Sequence, residues 1–159
     1  MKVIYTAIFG NYDDLKEPGI VSDGWKYICY TDQPFTSSVW EVVHTPVPAG
    51  IDPQRYARWF KIMHWIDWEY SMWVDAAFHI NVDLNDWWAR TFELPFSCAK
   101  HPLRTCVYRE IASCIANNRG MADELLRQQE AYKKEGVPDH NDRIITSGVK
   151  KKKNTPTCI

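Results

Sequence analysis

The 159-residue chain has no CxxC pair and no apolar run approaching the length of a membrane span. Zinc-ribbon and dithiol readings fall away with the first absence, and a spanning helix with the second. No P-loop, GxGxxG, HExxH or GxSxG occurs, so no short motif announces a chemistry. Charge imbalance is equally lacking. Lys plus Arg number 19 and Asp plus Glu 20, a formal net charge of -1, which gives no bulk attraction for nucleic acid. The cysteines number five, an odd count, and Cys29, Cys106 and Cys114 sit inside hydrophobic patterns. That predicts buried free thiols rather than a disulfide framework. The opening run Lys2 to Phe9 reads as a strand and lacks the apolar core and cleavage site of a signal peptide. The expected location is cytoplasmic. No internal repeat is visible.

What the chain does have is aromatic. Phe, Trp and Tyr make up 14 % of it, with eight Trp. Trp and Tyr serve as platforms for sugar rings and bases, and equally as core fillers. Hydrophobic residues at 45 % and charged residues at 25 % fit a globular protein of one domain.

Patterning predicts an α/β fold. Val3 to Phe9 is a continuous β-rich apolar run ended by Gly10-Asn11, as in a strand buried on both faces. Trp25 to Tyr30 and Trp40 to His44 read as further strands, and Ser71 to Val74 as a fourth. Asp52 is a good N-cap with Pro53 at the first helical position. Trp59, Ile62, Met63 and Ile66 then follow at i, i+3, i+4, i+7 as a core stripe. A second helix is expected to start near His101-Pro102 and to bury Val107, Ile111, Cys114 and Ile115. A third runs from about Ala122 to Glu135, with Gly136 suited to its end. Ile144 to Val149 looks like a last strand. Lys150 to Lys153 follow at once, a run that usually marks a solvated end.

Several side chains could carry chemistry. Asp75 comes directly after the strand Met72-Trp73-Val74, where ligands bind in open α/β sheets. It is either a ligand-facing carboxylate or a turn cap. Tyr30-Thr31-Asp32 ends the second strand and offers a carboxylate beside an aromatic ring; an Asx-turn is the plainer reading. On the first helix, Arg55 projects into the middle of the expected stripe, while Arg58 and Lys61 rotate away from it. Arg55 therefore needs an anion, such as a diphosphate, or a route to solvent. Lys61 is expected on the solvated surface. His101 and Arg104 lie at a helix start, where backbone N–H groups favour anions. His79, Asn81 and Asp83 alternate along an extended segment. Trp87-Trp88 form a platform or, more ordinarily, a helix face.

Five blocks in order resemble one known family. They are Thr6-Ala7-Ile8-Phe9-Gly10-Asn11-Tyr12-Asp13, Tyr30-Thr31-Asp32, Arg55 to Lys61, Trp73-Val74-Asp75-Ala76 and His101 to Tyr108. The sequence is similar to the glycosyltransferase-like domain of plant seed-mucilage and turgor-regulation proteins and their bacterial and phage single-domain relatives. The resemblance implies a GT-A-like, Rossmann-like, mostly parallel sheet flanked by helices. That would be a single compact domain over 1–149, with a basic tail over 150–159. It implies a nucleotide-sugar donor, with a UDP-sugar expected, a glycan or small hydroxyl acceptor, and Mn²⁺ or Mg²⁺. It puts Phe9, Gly10, Asn11, Tyr12 and Asp32 near the nucleotide. Arg55, Arg58, Lys61 and Ala76 would lie along the donor, and His101 and Arg104 toward donor or acceptor. Asp75, Arg58 and His101 would be the catalytic set, with Asp75 the metal ligand. Asp75 stands alone where other GT-A enzymes carry Asp-x-Asp, and His140 is the last histidine that could join it. Asp139, Asp142 and Glu93 are candidate bases. A non-catalytic module that binds a nucleotide sugar or glycan is the alternative.

Overall fold

A computed structural model describes residues 1–63, 68–90, 96–100, 104–139 and 145–153. In chain order the elements are β1 (Lys2–Ile8), β2 (Trp25–Thr31), β3 (Glu41–His44), α1 (Pro53–Met63), β4 (Tyr70–Val74), α2 (Leu84–Arg90), β5 (Phe96–Lys100), α3 (Val107–Ala116), α4 (Ala122–Lys134) and β6 (Ile145–Lys153). They fall into two units, Met1–Cys98 with Ser147–Ile159, and Ala99–Thr146.

The first unit is built on a sheet of order β3-β2-β1-β4-β6-β5. Strands β3, β2, β1 and β4 run parallel, and β6 pairs antiparallel with β4. The fold class is α/β, as the strand and helix order predicted. Strand β1 explains its own composition. Ile4 and Ile8 pack on one face with Trp25, Tyr27, Met72 and Val74. Val3, Tyr5, Ala7 and Phe9 pack on the other with Ile28, Phe60 and Trp73. A strand buried on both sides has no polar alternation to show. Helix α1 covers the second face, and Leu84, Trp87 and Trp88 of α2 lie against the first. Trp88 meets Trp25 and Tyr70 at ring centroids 5.5 and 5.4 Å apart, so this pair of tryptophans is a helix face.

The expected stripe on α1 is out of phase. Trp59 is 58 % exposed, while Phe60 is buried and Tyr56 and Ala57 pack with it. The helix docks through i, i+1 and i+4 positions around Phe60, which stacks on Phe9, Tyr30 and Tyr56. Trp59 gave a competing period of equal hydrophobic weight. Ile66, which completed that period, lies outside the described residues. The consequence is that Arg55 is exposed rather than core-facing, and Lys61, one residue past Phe60, turns inward.

The last strand also runs further than expected. Strand β6 continues through Lys153, with Trp73 opposite Lys150 and Tyr70 opposite Lys153. Ladder hydrogen bonds are made by the backbone, so a lysine run can still pair with β4. Strand β5 had no assigned element in the sequence pattern, and α2 was expected only as a helix face at Trp87-Trp88.

In the second unit, α3 starts at Val107, with Cys106 in extended conformation as its N-cap. The expected start near His101-Pro102 is displaced, because residues 104–106 are not helical. Of the expected buried face, Ile111 is buried and Val107, Cys114 and Ile115 are half-buried. Helix α4 ends as its sequence suggested. Gly136 takes a φ of 72°, its N–H donates to the Lys133 carbonyl, and that of Val137 donates to Tyr132. This is the Schellman pattern. The Tyr108 hydroxyl donates to the Val137 carbonyl at 2.6 Å and ties α3 to the segment after α4.

Candidate functional site

From β1 the chain proceeds outward to β2 and β3, then crosses over through α1 to β4 on the other side of β1. The direction of strand addition reverses between β1 and β4. In open parallel sheets the crevice beyond the carboxyl ends at such a reversal is where ligands bind. Phe9-Gly10-Asn11 leaves β1 there, and Asp75 leaves β4.

The loop after β1 is held by three constraints. Gly10 and Asn11 have φ of 68° and 56°. The Gly10 N–H is shared between both carboxylate oxygens of Asp32, at 3.0 and 3.2 Å. Gln33 Nε2 donates to Asp32 Oδ1 at 2.7 Å. Asp32 thus clasps the ends of two adjacent strands. The local turn is made instead by Thr31, whose hydroxyl accepts the Gln33 N–H at 2.9 Å. Third, a Cβ on Gly10 would meet Pro53 Cβ at 2.7 Å, so the loop touches the first residue of α1. Asp52 caps that helix by accepting the Arg55 N–H at 2.9 Å, as its sequence position suggested. The positive end of α1 is thereby set beside Gly10, a place suited to an anion.

Asp75 is the centre of a second cluster. Its Oδ1 accepts the Trp73 indole N–H at 2.7 Å and lies 2.8 Å from the Lys61 ammonium. The same ammonium stands 5.1 Å from the centroid of the Trp73 ring, within cation–π range. The Lys61 side chain is 10 % exposed and that of Asp75 31 %. Lys61 is therefore a corrected expectation: it is an enclosed cation, not a solvated one. The Asp75 carbonyl accepts the Phe78 N–H at 3.0 Å and so closes the turn through half-buried Ala76. On this turn the Ala77 carbonyl accepts from Lys16 Nζ at 2.9 Å.

Other candidates take varied places. Arg55 and Arg58 are exposed on α1, and Tyr12 is exposed beyond Asn11. Phe9 is buried against Tyr56 and Phe60, so its side chain serves the core. His79 and Asn81 contact each other at 2.6 Å, whereas Asp83 accepts the Asn85 N–H at the start of α2. In the second unit, Arg104 pairs with Glu110 at 2.6 Å, and Asp139 accepts from the Cys106 thiol. His101, Glu93, His140 and Asp142 lie outside the described residues.

A divalent cation was expected on Asp75. Among the described residues no group of three or more His, Cys, Asp or Glu side chains comes together. More telling is the donor chemistry. The Asp75 oxygen already carries an ammonium and an indole N–H, and a second cation on it would repel the first. The described residues do not fit a divalent-metal centre.

Sequence reasoning missed Trp73 and Gln33 as partners of the two aspartates, and misjudged Lys61. Trp73 was findable, since residues two apart on a strand share a face.

No described helix is long and apolar enough to cross a membrane. Residues 37–152 match a protein-family model described as TOD1/MUCI70, glycosyltransferase-like domain. Among curated proteins and solved structures, none matches.

Proposed function

The chain belongs to the TOD1/MUCI70 glycosyltransferase-like domain family, and from that premise we propose that it transfers a glycosyl group from a nucleotide-diphosphate sugar, a UDP-sugar first, to a hydroxyl of a glycan or small acceptor. The observation that carries this is the meeting of Gly10, Asp32 and the start of α1 beside the β1–β4 reversal that also bears Asp75. The loop over Gly10, Asn11 and Tyr12 and the clasp at Asp32 receive the nucleotide. The diphosphate lies across the strand ends between Asp75 and the N-terminus of α1, where Arg55 and Arg58 stand exposed and offer fork-shaped donors. Arg104 and His101 are proposed on the donor or acceptor side.

In the transfer step the acceptor oxygen bonds to the anomeric carbon while the bond from that carbon to the diphosphate breaks. The electron pair leaves with the diphosphate. Positive groups fixed in advance stabilise the charge that builds there. An inverting reaction passes the acceptor proton to a carboxylate base, for which Asp139, Asp142 and Glu93 stand as candidates; a retaining one needs no dedicated base.

The test is a thermal-shift scan against UDP, GDP, CDP and their common sugars, followed by a transfer and donor-hydrolysis assay. A ligand that binds the native state raises the melting temperature. One nucleotide is expected to do so, and Asp75→Asn to lose turnover. No shift with any nucleotide would sink the reading. Engagement of Asp75 Oδ1 by Lys61 and Trp73 favours a second reading, a module that holds a nucleotide sugar without turning it over. Binding with no transfer and no hydrolysis would select it.

A further inference from the structure

The metal expected on Asp75 has a ready substitute in the protein itself. We propose that the Lys61 ammonium stands on Asp75 in place of a divalent cation and supplies the fixed positive charge for the donor's diphosphate, so that donor binding needs no metal. The inference rests on the transferase reading above and deepens it.

Three observations carry it. The ammonium is 2.8 Å from Asp75 Oδ1. It is held there by the Trp73 ring at 5.1 Å, while the indole N–H of the same residue occupies the same carboxylate oxygen at 2.7 Å. The Lys61 side chain is 10 % exposed, so little of it meets water. Helix α1 fixes its root, since the Lys61 carbonyl accepts from the Tyr5 hydroxyl at 3.3 Å. A Mg²⁺ or Mn²⁺ ion would have to approach Asp75 to about 2.1 Å against this resident charge. On this account Asp75 is a positioning residue that holds Lys61 at the end of β4.

The experiment is calorimetric titration of the purified chain with UDP, GDP and CDP, and with the matching nucleosides, in excess EDTA and in millimolar Mn²⁺. The expected result is one nucleotide whose affinity agrees between the two conditions within about twofold. Lys61→Gln should weaken that nucleotide about tenfold or more and leave its nucleoside unchanged, with Lys61→Arg restoring much of the loss. Circular dichroism checks that the variants fold; if Lys61→Gln does not, the EDTA comparison on the unaltered chain still decides. Binding that requires Mn²⁺, or cation-free binding that Lys61→Gln does not weaken, would overturn the inference and leave the transferase reading standing. No binding by any nucleotide in either condition would overturn that reading, and this inference with it.

Discussion

The Lys61 ammonium and the Asp75 carboxylate lie 2.8 Å apart, and the lysine is the more enclosed partner, 10 % exposed against 31 %. The asymmetry matters because the two deletions then differ. Removing Lys61 leaves a carboxylate that water reaches and that still accepts the Trp73 indole N–H. Removing Asp75 takes from the enclosed ammonium the carboxylate that lies 2.8 Å from it, beside the Trp73 ring.

Asp75→Ala is therefore expected to destabilise the fold by roughly 2–4 kcal/mol, near the cost of breaking a buried pair from one side. Lys61→Met should cost about 1 kcal/mol or less, since its stem still packs. The double variant should recover most of the Asp75→Ala loss. Urea midpoints of the four proteins close the cycle. A single Asp75→Ala as stable as the unaltered chain would show that the Asp75 carboxylate does not stabilise the Lys61 charge. Activity losses should accordingly be read from Asp75→Asn.

The strands of the parallel sheet were legible because burial on both faces writes itself as continuous apolar runs, as in Val3 to Phe9. Caps were legible for the same local reason: Asp52 and Gly136 act on their own helices. What failed were decisions made by partners distant in sequence. Trp59 and Phe60 offer two helix phases of similar hydrophobic weight, and only the rings of Phe9 and Tyr30 choose between them. That choice carries Lys61 inward and Arg55 outward. Asp32 follows the same logic. Its local sequence suggests an Asx-turn, but the Gly10 N–H, which is 22 residues away, claims its carboxylate.

Gly10→Ala is expected to cost about 1–3 kcal/mol, from a left-handed φ that a β-carbon strains and from backbone shift. The added carbon would fall 2.7 Å from Pro53 Cβ, a ring that α1 holds in place. Either the loop or the helix start must yield, and the anion-facing geometry goes with it. A thermal melt should show the stability loss, and the nucleotide-induced shift should vanish. A variant with a native melt and an intact nucleotide response would show that the close approach is not needed.

Asp32→Ala removes the acceptor that joins the ends of β1 and β2. The Gly10 N–H can then turn to water, so the stability cost should stay near 1 kcal/mol. Order in the loop should suffer more than the fold. Hydrogen exchange at the Gly10 amide, followed by NMR, is expected to speed up by about fivefold, in keeping with a bond of that strength. An unchanged exchange rate would mean that the clasp does not hold the loop in solution.

Stability should fall in alkali through two enclosed groups. Burial pushes the Cys29 thiol from 9.0 up to about 12. Tyr5 is raised above its ordinary 10.0, first by burial and then by the neighbouring Tyr30. Both groups are neutral when protonated, so the folded state keeps its protons where the unfolded chain has shed them. Below pH 9 the two states bind these protons equally and the full stability is present. Above it the unfolded chain ionises first, and each group removes about 1.4 kcal/mol per pH unit once its unfolded form has titrated. For Cys29 that loss continues to about pH 12. Urea midpoints taken from about pH 8 to pH 11 should decline with a steepening slope. Tyr5→Phe should flatten the part above about pH 10 and Cys29→Ala the part that starts near pH 9. A midpoint that holds level across this range would mean that both groups meet water in the folded protein, against the burial of Tyr5 and Cys29 at the centre of the sheet.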